Sequence, residues 1–239
     1  MILVTILKLL IAHFIGDFFL QSKASVKHKE KYKLASYHLY LHIVIHIGLM
    51  FLVLWDVSNW ALILSIALTH LAIDVGKILL QTKKNKRIVF FVDQILHVLS
   101  IIILTSVFLN DGYTFDIQFD ARTWLILTLA LFLTRPTSFI MKTIFTKWNI
   151  SKLTKDNASL KDAGNYIGIL ERLLVFVFII TNHWEAVGFL ITAKSVFRFG
   201  DISNSKERQL TEYILIGTLL SFGIAIISGL IYNYLQYYV

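Results

Sequence analysis

Long apolar runs separated by short polar tracts set the pattern of this 239-residue chain. A helix needs roughly 20 apolar residues to cross about 30 Å of hydrocarbon. Eight such segments can be read, near residues 2–21, 36–54, 60–80, 88–109, 121–143, 163–182, 185–199 and 211–235. The seventh is short, a candidate for a tilted or re-entrant segment. The first has no basic stretch ahead of it and no small-residue cleavage site behind it, so it is expected to be a retained helix rather than a signal peptide. The pattern predicts an all-α, polytopic membrane bundle of about eight transmembrane helices. Its best division is into an N-terminal part, 1–141, and a C-terminal part, 142–239.

Composition strengthens this picture. Hydrophobic residues make up 56% of the chain and charged residues 16%, with one proline and no cysteine, and the mean hydropathy is +0.69. Too few polar residues remain to cover a soluble globule. The lack of cysteine excludes a disulfide scaffold, thiolate zinc sites and thiol catalysis. The net charge of +8 does not indicate nucleic acid, because the basic residues form no separate domain and no base-stacking motif accompanies them. They sit in alternate loops. Residues 22–35, 81–87, 142–162 and the tract Arg198, Lys206 and Arg208 hold 17 of the 23 Lys and Arg, and the intervening WDVSNW, NDGYTFDIQFD and TNHWE segments hold none. The positive-inside rule places the basic loops in the cytoplasm and both termini outside, as expected of a multi-pass protein of a cytoplasmic (inner) membrane. Trp55, Trp60, Trp184, Tyr232, Tyr234, Tyr237 and Tyr238 fall near the outer ends, as belt residues do.

Within the first four apolar segments the polar residues repeat at i, i+4: His13 and Asp17; His38, His42 and His46; His70 and Asp74, followed by Lys77; Asp93 and His97, with Gln94 between. That spacing puts each pair on one helical face. Counted from the cytoplasmic ends, all four sets lie at one depth. An Asp at the centre of a membrane helix costs roughly 2.5–3.5 kcal/mol on insertion scales, and metal binding or pairing would offset it. Donors of this kind suit zinc, iron or manganese. Six histidines and three aspartates exceed one zinc shell, so either two ions bind or some residues orient the others. The expected metal ligands are His13, Asp17, His38, His42, His46, His70, Asp74, Asp93 and His97. The alternatives are a hydrogen-bonded network joining the helices and a proton or ion relay. His28 and His183 lie in loops and are expected to be solvated.

The second half carries AGNYIGILER, AVGFLITAKSVFRF and TEYILIGTLLS. Arg172, Lys194 and Arg198 fall on the expected cytoplasmic side. They either pair with Glu171 and Glu212 or, together with Lys77, form a cationic pocket for a phosphate or carboxylate. Arg135-Pro136 marks a kink.

HFIGDFFLQ at 13–21, the His38/His42/His46 series, H-x3-D-x2-K at 70–77 and DQILH at 93–97 resemble an uncharacterised family of bacterial and phage-associated membrane proteins, domain of unknown function 3307. The GILER and AKSVFRF blocks resemble the C-terminal extension of some members. The resemblance supports the membership of the polar cluster and implies no reaction. From the residues, the leading expectation is an intramembrane metal-dependent enzyme, hydrolase-like and acting on a lipid or lipid-linked ester. One or two divalent ions would activate water, Asp74 or Asp93 would serve as base, and a di-iron oxygenase is a variant. A metal-ion or proton transporter using the same residues is one alternative. A non-catalytic membrane interaction protein is the other. Membrane lipid is the expected partner, and the sequence leaves a homo-oligomer open.

Overall fold

A computed structural model describes residues 2–109, 120–147, 163–196 and 205–238, with the backbone alone described for 205–210. Among the described residues every regular element is helical. The helices are α1 (Ile2–Phe14), continued by a π-helical stretch Ile15–Leu20, α2 (Lys23–Tyr32), α3 (Tyr37–Leu54), α4 (Trp60–Leu80), α5 (Lys86–Phe108), α6 (Ala121–Leu133), α7 (Arg135–Phe145), α8 (Ala163–Ile180), α9 (Trp184–Val196) and α10 (Ser205–Leu235).

Among the described residues, seven helical stretches are long and apolar enough to cross a membrane: Ile2–Leu20, Tyr37–Leu54, Val57–Leu80, Lys86–Phe108, Ala121–Phe145, Ala163–Ile180 and Thr211–Leu235. The remaining expected span, near 185–199, is α9 with 13 residues. At 1.5 Å per residue it is about 20 Å long, short of the hydrocarbon core. Its expected last residues, 197–199, lie outside the described ones, as do the loops 110–119 and 148–162.

The chain divides into two compact units, Met1–Thr128 and Leu129–Val239. The division falls inside α6, ahead of the 142–162 loop chosen from sequence. In the first unit α1 packs on α3 and α5, and α4 packs on α3 and α5, so the four helices close a ring. One part of its core is apolar: Leu9, Ala12, Ile43, Met50, Leu54, Leu62, Ile63, Ile66, Ala67 and Ile101.

The loop read as a basic tract is a helix. Ser22 caps it by accepting from the Ser25 amide at 3.1 Å. α2 then returns along the bundle end. Glu30 accepts from Gln81 at 2.8 Å and from Lys86 at 2.6 Å, and Lys33 donates to the Ile78 carbonyl. Burial acts to raise the Glu30 carboxyl, but the hydrogen bonds from Lys86 and Gln81 prevail and hold it below its ordinary value.

In the second unit, α8 packs on α7, α9 and α10. Pro136 starts α7 without an amide hydrogen, which would leave the Phe132 carbonyl without its i+4 donor. The Thr137 hydroxyl donates to that carbonyl at 2.7 Å. The break expected at Arg135-Pro136 is therefore present and chemically satisfied.

Candidate metal centre

The i, i+4 spacing on four antiparallel neighbours builds two tiers, each with one residue per helix. The first tier is His13 (α1), His46 (α3), His70 (α4) and His97 (α5), all buried. Ring centroids are 4.0 Å apart for His70–His97, 4.1 Å for His46–His70, 5.2 Å for His13–His97 and 5.9 Å for His13–His46. One turn away lies the second tier of Asp17, His42, Asp74 and Asp93. The π-helical turn carries Asp17 toward α3, where its Oδ1 lies 3.1 Å from His46 Nε2, 3.2 Å from His42 Nε2 and 3.7 Å from His70 Nε2. Insertions of this kind widen a helix and often accompany functional sites. Gly16 permits the approach, since a Cβ there would overlap the His46 ring.

The three carboxylates are treated differently. Lys29 donates to Asp74 Oδ2 at 2.9 Å, and Lys77 donates to Asp93 Oδ2 at 2.6 Å. Asp17 has no ammonium partner among the described residues. It accepts from Gln94 at 3.1 Å and faces the imidazoles.

Several buried atoms have no hydrogen-bond partner: both ring nitrogens of His13, Nε2 of His97 and Oδ1 of Asp93. Such atoms are rare in folded interiors and call for a ligand. His97 Nδ1 lies 2.9 Å from the Asp93 carbonyl oxygen. Because a carbonyl only accepts, the proton sits on Nδ1 and the Nε2 lone pair is left free, the arrangement that orients metal-binding histidines. Donor atoms of His13, Asp17, His46 and His70 lie within 4.8 Å of one another, and so do those of His42, His70 and Asp74, and of Asp74, Asp93 and His97. The nitrogen–oxygen donor set and the orphaned atoms fit a divalent ion of the zinc, iron or manganese type. A small cavity separates His13, His46 and His70 from Leu9, Met50, Ile66 and Ile101.

Of the ligands expected from sequence, His13, Asp17, His42, His46, His70, Asp74, Asp93 and His97 come together. His38 does not. It lies one turn beyond the second tier, where its ring stacks on Tyr37 at 4.2 Å and meets His28 at 4.8 Å, while His28 bonds Ser36. Its removal from the set follows from helical rise: three histidines at i, i+4, i+8 span two turns, and the two tiers take only two of them. Lys29 was not anticipated. The sequence presents it as one lysine among five in a solvated tract, and only the α2 cap and the return of that helix bury it.

The cations expected to bind substrate in the second half have other partners. Arg172 is buried, with Nε on the Leu133 carbonyl at 2.7 Å and the guanidinium on Ser138, Ser221 and the Thr134 carbonyl. It closes the α6–α7 break. Lys194 pairs with Glu171 at 2.6 Å. Arg198 lies outside the described residues.

A family model described as a protein of unknown function, DUF3307, matches residues 5–126. The chain belongs to the DUF3307 family. The match ends close to the boundary of the first unit, so both tiers, Lys29 and Lys77 lie within the DUF3307 region and α7 to α10 lie beyond it. The GILER and AKSVFRF blocks are not part of it. No curated protein and no solved structure matches the chain.

Proposed function

We propose that the DUF3307 unit is a membrane-embedded, metal-dependent hydrolase whose substrate reaches the centre from the lipid phase. The observation that carries this reading is the orphaned His13 ring beside Asp17, the one carboxylate of three that no ammonium neutralises. His13, Asp17, His46 and His70 are the residues we assign to hold the ion. His97, with its lone pair fixed on Nε2, extends that set. When bound, a divalent ion supplies Lewis acidity for a hydrolytic step.

The chain's own groups divide the remaining work. Asp93 has Oδ2 held by Lys77 and Oδ1 without a partner, so Oδ1 is the proton acceptor we favour. Asp74, held by Lys29, keeps its place beside His42 at 3.7 Å. Gln94 orients Asp17. The apolar residues beyond the imidazole tier, Leu9, Met50, Leu54, Leu62, Ile63 and Ile66, exclude water from that side. We orient the α2 end, rich in lysine, toward the cytoplasm. With that orientation the N-terminus lies outside.

The test is metal analysis of the full-length chain purified in detergent after growth with zinc, iron and manganese. The wild type should hold about one ion or more per chain. His13→Ala/His70→Ala should lose it at unchanged size-exclusion profile, and His38→Ala should keep it. A wild type free of metal after reconstitution, or a double variant with equal content, would overturn the proposal.

A further inference from the structure

Resting on that metal reading, we propose that the substrate presents a phosphate-class anion to Lys77 at the polar mouth of the centre. The two lysines of the second tier are not equivalent. Lys29 is enclosed behind Asp74, whereas Lys77 keeps 25% of its side chain exposed although its partner Asp93 is at 1%. Part of the Lys77 side chain thus reaches the molecular surface while its ammonium sits on the buried carboxylate.

Charge bookkeeping points the same way. With neutral histidines, three carboxylates against two ammonium groups leave one negative charge. A divalent ion turns that deficit into one positive surplus in a place shielded from water, where uncompensated charge is expensive. An entering anion cancels it. The rim at this end selects for anions before they arrive. Lys23, Lys27, Lys31, Lys83, Lys84, Lys86 and Arg87 are exposed there. Glu30 is the one carboxylate among residues 22–73 and 75–92 other than Asp56 at the opposite bundle end, and it is already bonded to Lys86 and Gln81. Such a field steers anionic ligands inward. Phosphate offers several oxygens in different directions, which suits a point-charge ammonium. Of the cations expected from sequence to bind substrate, Arg172 and Lys194 are satisfied internally and Arg198 lies outside the described residues, so Lys77 is the one we retain as the anion-binding group.

The same chemistry comes from a lipid head group or from free phosphate. Titration calorimetry of the metal-loaded full-length protein in neutral detergent, with inorganic phosphate and with short-chain phosphatidic acid, separates the two. Saturable binding of either supports the proposal. Preference for phosphatidic acid identifies a lipid source, and equal binding identifies a soluble one. Lys77→Met/Asp93→Asn removes both members of the pair, so no carboxylate is left unpaired, and should weaken binding about tenfold or more. Lys77→Arg should retain it. Metal present without phosphate binding, or affinity unchanged in the double variant, overturns this inference and leaves the metal centre standing. A wild type without metal overturns both.

Discussion

Both units bury charge among apolar helices, and they settle it in opposite ways. In the second unit Arg172 has every nitrogen engaged by carbonyl and hydroxyl oxygens, and Lys194 is matched by Glu171. In the centre of the first unit Asp74 and Asp93 each pair with a lysine, yet Asp17 has no lysine or arginine in ion-pair contact among the described residues, and His13, His97 and Asp93 retain unbonded atoms. A polar group that serves only to hold helices together is expected to be saturated, because an unmet donor or acceptor in a dry interior costs about 1–3 kcal/mol. Residual bonding capacity in the first unit is what the proposed metal reading would use. Among the described residues of the second unit, Arg172 and Lys194 are saturated internally, as architectural groups are.

The largest effect that would test this contrast comes from Arg172. Arg172→Met leaves the Leu133 and Thr134 carbonyls without their guanidinium donor at a helix break. Hydrogen bonds to charged groups contribute about 1.5–3 kcal/mol each. Even with partial relaxation the variant should lose roughly 3 kcal/mol, seen as a lower melting temperature in detergent and a poorer monodisperse yield. Metal per folded chain should not change. A normal melting temperature, or metal lost along with stability, would break the division between the two units.

A matched pair of glycine substitutions sharpens it. A Cβ at Gly16 would overlap the His46 ring, and a Cβ at Gly229 would overlap Ile179. Overpacking of this sort costs about 1–3 kcal/mol, so Gly16→Ala and Gly229→Ala should destabilise to a similar degree. Only Gly16→Ala should also weaken metal binding, by about tenfold in chelator competition, since it displaces a ligand-bearing ring. Equal metal affinity in the two variants would show that His46 is not a ligand.

Much of this was legible in the chain, for reasons that differ by element. Apolar length predicted eight crossings, and seven helical stretches among the described residues are long and apolar enough, because membrane thickness sets a threshold that a run of residues either meets or does not. The described part of α9 is 13 residues long and does not reach it. The two tiers were visible as i, i+4 pairs at one depth, since helical rise is fixed. Three features were not legible. The π-helical turn at Ile15–Leu20 depends on Gly16 meeting His46, a tertiary contact. Lys29 enters the centre only because α2 folds back, and its sequence reads as an ordinary basic loop. The role of Arg172 depends on which carbonyls Pro136 disturbs and where they point, and no spacing rule encodes that.

The smallest effect concerns the clip that holds α2, and with it Lys29, against the ends of α4 and α5. Glu30 lies outside the spanning stretches, is half exposed, and has its carboxyl held below the ordinary value of 4.5 by Lys86 and Gln81 against the opposing effect of burial. A group depressed in the folded state contributes stability that is fully present above its unfolded pKa and is lost as pH falls through its folded pKa. Exposed pairs are worth about 0.2–1 kcal/mol. The melting temperature of the wild type should therefore exceed that of Glu30→Gln by a small margin at pH 7. The margin should hold down to the ordinary carboxylate range and shrink toward zero below it. Comparison with the variant removes the contributions of the other acids, which titrate in both proteins. High salt should narrow the margin at pH 7, because the Lys86 side chain is exposed. Metal content should be the same in both proteins at pH 7, since the clip positions α2 without touching either tier. A margin independent of pH would show that Glu30 acts through packing rather than charge. Loss of metal at neutral pH would show that the rim and the centre are one structure, and that the saturated and unsaturated polar groups of the first unit are not separable.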